Sequence, residues 1–194
     1  DELIVLDVDA SLNDDDINVE IITDIANECF MPLTIGGGIR TIDDIYRILN
    51  AGADKVSINS ISLENSSFIT KASSVFGSQC IVCSIDVKKI NNTYKVFSKS
   101  KGLLDIHPLL LAKQYQEYGA GEILLTSVDH EGSTNGYDIN LIKCRIFLDN
   151  PISHTTVMFR KNIIKQIGGY SQNLKFTQDF DLISRLINNN KNIK

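Results

Sequence analysis

Short apolar runs alternate along the first two thirds of the chain with segments whose apolar positions recur every three to four residues. Residues 3–8, 32–36, 55–59, 81–87 and 123–128 form the runs. They are nearly continuously apolar rather than alternating, the pattern of strands covered on both faces. Residues 18–29, 42–50, 66–75 and 108–118 carry the helical period. Pro108 suits a first helical turn, where a missing N–H costs nothing. Strand and helix in turn predict a parallel sheet of βα units.

Two of the units are related. Glu2-Leu3-Ile4-Val5-Leu6-Asp7-Val8-Asp9 and Glu122-Ile123-Leu124-Leu125-Thr126-Ser127-Val128-Asp129 share an opening glutamate, an apolar stretch and a closing aspartate. Ala51-Gly52-Ala53-Asp54-Lys55 and Tyr118-Gly119-Ala120-Gly121-Glu122 share a helix ending at glycine and a charged strand opening. Such repetition favours a closed barrel over an open doubly wound sheet. Five strands by residue 128 fall short of the eight that closure needs, and Asp1 stands at the very start of a strand. The expectation is an α/β chain holding an incomplete (βα)8 barrel, cut at its front. Past residue 144 no further strand–glycine–helix unit follows, and residues 188–194 are polar and asparagine-rich, a fraying end. The expected division is residues 1–143 and residues 144–194.

Charge and composition remove several classes of partner. A formal net charge of −5 leaves no basic footprint, so nucleic acid is not expected as the main partner. No apolar run approaches membrane-span length and the first residues are acidic, so the expected location is cytoplasmic. Cys80 and Cys83 form a CxxC, a spacing shared by zinc and redox sites. Read as part of a strand, the two thiols face opposite ways and pack as core. Cys29, Cys144 and three scattered histidines add no ligand pattern, and no metal or cofactor is expected.

In a strand, residues two apart share a face. In that phase Glu2, Lys55 and Glu122 stand at the N-terminal ends of three strands, on one side. Either they form a compensated acid–base ring in the interior, or they face water at the sheet's lower edge. At the C-terminal ends, where chemistry sits in such folds, stand Asp7, Asn59, Asp86, Thr126 and Asp129. Asp86 closes a very apolar strand, where burial would raise its pKa and suit proton transfer; the alternative is a solvated loop aspartate or a helix cap. Gly36-Gly37-Gly38 precedes a helix near Thr41 and either cradles a phosphate on its backbone N–H groups or makes a tight turn. Asn59-Ser60 would add donors to the same phosphate, and Glu131-Gly132-Ser133 is a similar candidate.

Together these fragments resemble one family. Asp1-Glu2-Leu3-Ile4-Val5-Leu6-Asp7, Leu33-Thr34-Ile35-Gly36-Gly37-Gly38-Ile39, Gly52-Ala53-Asp54-Lys55-Val56-Ser57-Ile58-Asn59, Phe76-Gly77-Ser78-Gln79, Ser84-Ile85-Asp86 and Gly119-Ala120-Gly121-Glu122-Ile123-Leu124-Leu125-Thr126-Ser127 are similar, in this order, to the cyclase subunit of imidazole glycerol phosphate synthase. The resemblance spans residues 1–143 and implies strands two to six of an eight-stranded barrel. It implies a phosphorylated nucleotide substrate, a phosphoribulosyl-formimino-aminoimidazole-carboxamide ribonucleotide, and ammonia delivered by a glutamine amidotransferase (glutaminase) subunit at the barrel bottom. Asp86 matches a catalytic general acid/base and Thr126 an active-site threonine. Gly38 and Asn59 match a phosphate site, beside which Gly37 and Gly132 stand as candidates from the glycine turns, and Glu2, Lys55 and Glu122 match a charged ammonia gate. Glu131 stands where the family has an aspartate. The second catalytic aspartate belongs to a strand this chain does not contain, so the chain as it stands is expected to be inactive. Glu28-Cys29-Phe30-Met31-Pro32-Leu33 resembles the paralogous branch encoded with surface-polysaccharide genes, which implies sugar amidation in place of histidine synthesis.

The tail resembles a second family. Asn150-Pro151, His154, Val157-Met158-Phe159-Arg160, Gly168-Gly169-Tyr170 and Asp179-Phe180-Asp181 are similar to the later part of family-2 glycosyltransferases, with Asp179 matching the acceptor-activating base and Gln178 replacing the usual glutamate. Three readings of function follow: a cyclase-family lyase, a glycosyl-transfer protein of surface polysaccharide synthesis, or a non-catalytic glutaminase-docking module.

Overall fold

The computed structural model describes residues 2–7 and 17–134 and the single positions 136, 138, 141, 166, 168 and 185. Asp1, Val8, Asp9, Cys144 and the glycosyltransferase-like positions, Asp179 included and Gly168 excepted, lie outside the described residues. The contacts divide the chain into one compact unit through Thr126 and a second from Ser127.

The first unit is an α/β fold on a mostly parallel sheet. Its strands are β1 (Leu3–Leu6), β2 (Leu33–Gly36), β3 (Lys55–Ile58), β4 (Ile81–Ile90), β5 (Thr93–Ser98), β6 (Gly102–Leu103) and β7 (Glu122–Ser127). The helices are α1 (Val19–Glu28), α2 (Ile42–Asn50), α3 (Ser60–Glu64), α4 (Ser67–Phe76) and α5 (Pro108–Glu117). Strands β1 to β4 pair side by side and in parallel, and β7 also pairs with β4. Each predicted strand and helix of residues 1–128 is present, with Pro108 in the first turn of α5 as expected.

Helices and sheet meet over an apolar layer. Ile45 and Ile48 of α2, Ile69 and Ala72 of α4, and Val56, Ile81 and Cys83 of the sheet are all fully buried. Each buried aliphatic side chain contributes about 1.5–3 kcal/mol relative to exposure. Helix α2 starts cleanly because Thr41 Oγ1 accepts from Asp44 N at 3.1 Å while Asp44 Oδ2 accepts from Thr41 N at 2.8 Å, a reciprocal cap.

Strand β4 departs from expectation. It does not end at Val87 but runs to Ile90, turns at Asn91–Asn92 and returns as β5 in antiparallel pairing. Asn91 and Asn92 have φ of 46° and 67°, the two left-handed residues of a tight hairpin turn, a conformation asparagine tolerates. Cys80 lies in a 3₁₀ turn, Ser78–Cys80, rather than in the strand, because Cys80 N bonds back to Gly77 O. Cys83 is buried, and desolvation pushes its thiol up to about 12.

The glycines after β2 are held by their neighbours. A Cβ on Gly36 would stand 2.7 Å from Leu6 Cδ2 and 2.8 Å from Ser57 O, and one on Gly37 (φ 111°) would strike the Asp7 carbonyl oxygen. Gly102 also has a left-handed φ, 72°, but open space around it. Gly37→Ala and Gly102→Ala therefore share a conformational cost of about 1 kcal/mol. Urea unfolding should show Gly37→Ala destabilised beyond Gly102→Ala by about 1–3 kcal/mol of overpacking; equal losses would contradict the contact with Asp7.

Candidate functional site

Register places the polar side chains. Parallel partners share a face, so Ile4, Thr34 and Lys55 lie on one side, followed by Leu6, Gly36, Ser57 and Val82. Two residues further along β4 on that side are Ser84 and then Asp86. The face has a charged N-terminal rim, a middle, and a C-terminal rim.

At the N-terminal rim Lys55 Nζ donates to Glu2 Oε1 at 3.1 Å and to Glu122 Oε1 at 2.5 Å. Glu2 precedes β1 and Glu122 opens β7, so Lys55 joins carboxylates from opposite ends of the strand order β1-β2-β3-β4-β7. In a flat sheet those ends lie about 19 Å apart, four spacings of about 4.8 Å. One ammonium meets both because the sheet curls, with this face concave. Burial alone would lower the Lys55 pKa; the hydrogen bonds and charges of Glu122 and Glu2 together outweigh it, and the net direction is up. Glu122 remains 46% exposed, so the cluster is assembled and also wetted at its outer edge.

Thr34 belongs to this cluster and was not foreseen. It is fully buried, and its Oγ1 donates to the same Glu2 Oε1 at 2.9 Å. Its signal in the chain is a lone hydroxyl in the apolar run Leu33-Thr34-Ile35. Ser57 and Ser84, 4% and 6% exposed, continue the line of buried hydroxyls towards the C-terminal rim.

There Asp86 is half-buried within β4, opposite Phe97 of β5. This placement removes the loop and helix-cap readings of Asp86. Asn59 Nδ2 donates to Asp86 Oδ2 at 2.9 Å. Asn59 occupies the position before α3 but its side chain makes no cap there; the amide is turned to Asp86. The two residues, read separately as a phosphate contact and an acid/base, form one bonded pair. Thr126 lies on the Glu122 side of β7, four residues along, about 13 Å up the strand.

Gly37 and Gly38, with φ of 111° and 66°, follow β2 at the same rim. Just before the helix beyond them, Arg40 N and Thr41 N both donate to Asp44 Oδ2, and within its first turn Asp44 N donates to Thr41 Oγ1. In the second unit, Gly132 (φ 66°) has open space around it. The buried Asp138 accepts from Ser127 Oγ at 3.2 Å and lies 3.4 Å from His130 Nδ1. His130 faces both groups through that one nitrogen, which fastens a turn but is not the relay of a nucleophilic triad. Among the described residues no group of His, Cys, Asp and Glu is placed to hold a metal ion, and no helix is long and apolar enough to cross a membrane.

A mostly parallel α/β sheet that gathers an acid, an amide and glycine turns at its C-terminal rim has its polar groups where (βα)8 folds carry their chemistry, and comparison with known proteins makes the family specific. The family model described as histidine biosynthesis protein matches residues 1–151, and the chain belongs to that family. A Campylobacter jejuni protein provisionally named imidazole glycerol phosphate synthase subunit hisF2 is 59% identical over 143 residues, 74% of this chain and 57% of the relative. The Vibrio vulnificus protein of the same provisional name is 49% identical over 144 residues, 74% of this chain and 53% of the relative. The imidazole glycerol phosphate synthase subunit HisF of Sulfurisphaera tokodaii is 48% identical over 144 residues, 74% of this chain and 58% of the relative. The chain thus spans about half the length of the curated relatives it matches.

The raised Lys55 pKa has a signed consequence. Stability from a raised lysine is complete below its unfolded value, near 10.5, and is lost as pH climbs through the higher folded value. Lys55→Met should remove that part of the alkaline decline. At neutral pH it leaves Glu2 and Glu122 without their cation, so the variant should be less stable than the parent there, by a margin that narrows towards alkaline pH. Urea midpoints across pH check this; parallel wild-type and variant curves would show that the cluster carries no stability.

Proposed function

We infer that this chain carries the acid–base rim of a cyclase of the imidazole glycerol phosphate synthase type, on strands corresponding to two through six of a (βα)8 barrel. The observation that carries the reading is the Asn59–Asp86 pair at the C-terminal rim. Asp86 is the general acid/base, taking a proton from the attacking nitrogen and returning one during ring closure and cleavage. The Asn59 amide fixes the carboxylate's rotamer, which keeps it within reach of the substrate. Gly37 and Gly38 offer backbone N–H groups to phosphate, and Gly132, in the second unit, is a separate candidate for the same kind of contact. Thr126 lines the same face.

Glu2, Lys55 and Glu122 form the entrance through which ammonia from a glutaminase subunit passes, and the buried hydroxyls of Thr34, Ser57 and Ser84 give a small polar molecule hydrogen-bonding stations on the way. The assembled Glu2–Lys55–Glu122 cluster also favours a second reading, a glutaminase-docking module that binds its partner without turnover.

The test uses a chimera in which residues 1–143 replace the matching segment of the Campylobacter jejuni relative. Ammonia-dependent turnover of the phosphoribulosyl-formimino substrate should fall by about 10²–10⁴-fold in Asp86→Asn and by about tenfold in Asn59→Ala, with KM little changed in the first. An inactive chimera that still binds glutaminase would select the docking module; full activity of Asp86→Asn would sink the acid–base reading.

A further inference from the structure

The hairpin β4–β5 is the basic part of an acidic chain. From position 88 to 101 stand Lys88, Lys89, Lys95, Lys99 and Lys101 and no acidic residue, in a chain of net charge −5. Lysines on a hairpin often serve only to keep its edges from pairing with another chain. Here the register sorts them between two faces. Lys89 lies opposite Tyr94, on the side that buries Val87, Tyr94 and Val96, with its ammonium 5.5 Å from the Tyr94 ring centroid. Lys88 and Lys95 are opposite one another on the other side, and the next pair down that side is Asp86 with Phe97.

That side is the one that carries the Asn59–Asp86 pair. Lys88 is about 7 Å along the strand from Asp86, and its Nζ stands 5.9 Å from the centroid of the Phe97 ring. The ring opposite Asp86 therefore draws the ammonium back towards the carboxylate's end of the hairpin. Two like charges directly opposite on a sheet are destabilising, and an anion held between them relieves that repulsion. Lys95 bonds to Asp105 at 2.7 Å, but Asp105 is 94% exposed. Such an exposed pair is worth little, so Lys95 can exchange Asp105 for another anion at small cost.

We propose that Lys88 and Lys95, with the Phe97 ring as floor, form a binding subsite for a phosphate group of the molecule on which Asp86 acts. The proposal rests on the reading of Asp86 as the acid/base. It adds a contact separate from Gly37 and Gly38: those follow β2, on the far side of β3 from β4.

Amide NMR of the full chain titrated with ribose 5-phosphate tests it. Saturable shifts are expected at Lys88, Lys95 and Phe97. The double variant Lys88→Gln/Lys95→Gln should weaken the affinity read at those amides by about tenfold, since charge-assisted bonds to phosphate are lost. Lys89→Gln on the opposite face should leave it unchanged, and about 0.5 M salt should weaken it in the parent chain. Unchanged dispersion of the remaining amides shows that the variants are folded. No hairpin shift, or a shift of equal affinity in the double variant, overturns the subsite. The Gly37 and Gly38 amides report the other site in the same spectra. Their failure to move while the hairpin responds would count against the phosphate cradle alone, and the converse against the hairpin alone.

Discussion

Four parallel strands paired without a slip bring the side chains of the first unit's candidate site to the two rims of one face. Leu6 lies beside Gly36, Gly36 beside Ser57, and Ser57 beside Val82. A shift of one residue in the β2–β3 or β3–β4 pairing would turn Lys55 or Asp86 to the opposite side, among the helices, where an unpaired charge costs several kcal/mol. The register is thus guarded from both directions. The helix-facing side is closed by Val56, Ile58, Ile81 and Cys83, and the concave side holds polar groups that have partners only there.

The cluster at the N-terminal rim adds curvature to register. Backbone pairing alone sets strand spacing and twist; the three-way contact of Lys55 also sets how far the sheet bends. Thr34 helps by holding Glu2 through a hydroxyl that is itself shielded from water. A carboxylate steadied by a neutral donor and a cation together moves less than one steadied by a flexible lysine alone. The rim is therefore narrow and definite even though Glu122 is wetted.

Much of this was legible in the chain. The apolar runs, the helix periods and the phase of Glu2, Lys55 and Glu122 follow from periodicity, and the resemblance to the cyclase family holds at the level of family. What escaped notice depended on contacts between distant residues or on turn chemistry. Nothing local says that the Asn59 amide turns from helix α3 to Asp86. The hairpin was hidden because an apolar run looked complete at Val87; Asn91-Asn92, flanked by Ile90 and Thr93, was the available turn signal. The three glycines read as a phosphate cradle, and the packing of Gly36 and Gly37 against Leu6, Ser57 and Asp7 gives them a second reason to lack side chains.

Cys83 sits in the middle of this arrangement, sealed within β4 and with its proton held up to a pH of about 12. Thiol chemistry runs through the thiolate, so peroxide, disulfides and alkylating agents find almost nothing to attack while the strand is closed. Its modification is governed by how often β4 leaves the sheet, not by the reagent. The residue is in effect a clock for the opening of the strand that carries Asp86, one that runs without any label being introduced.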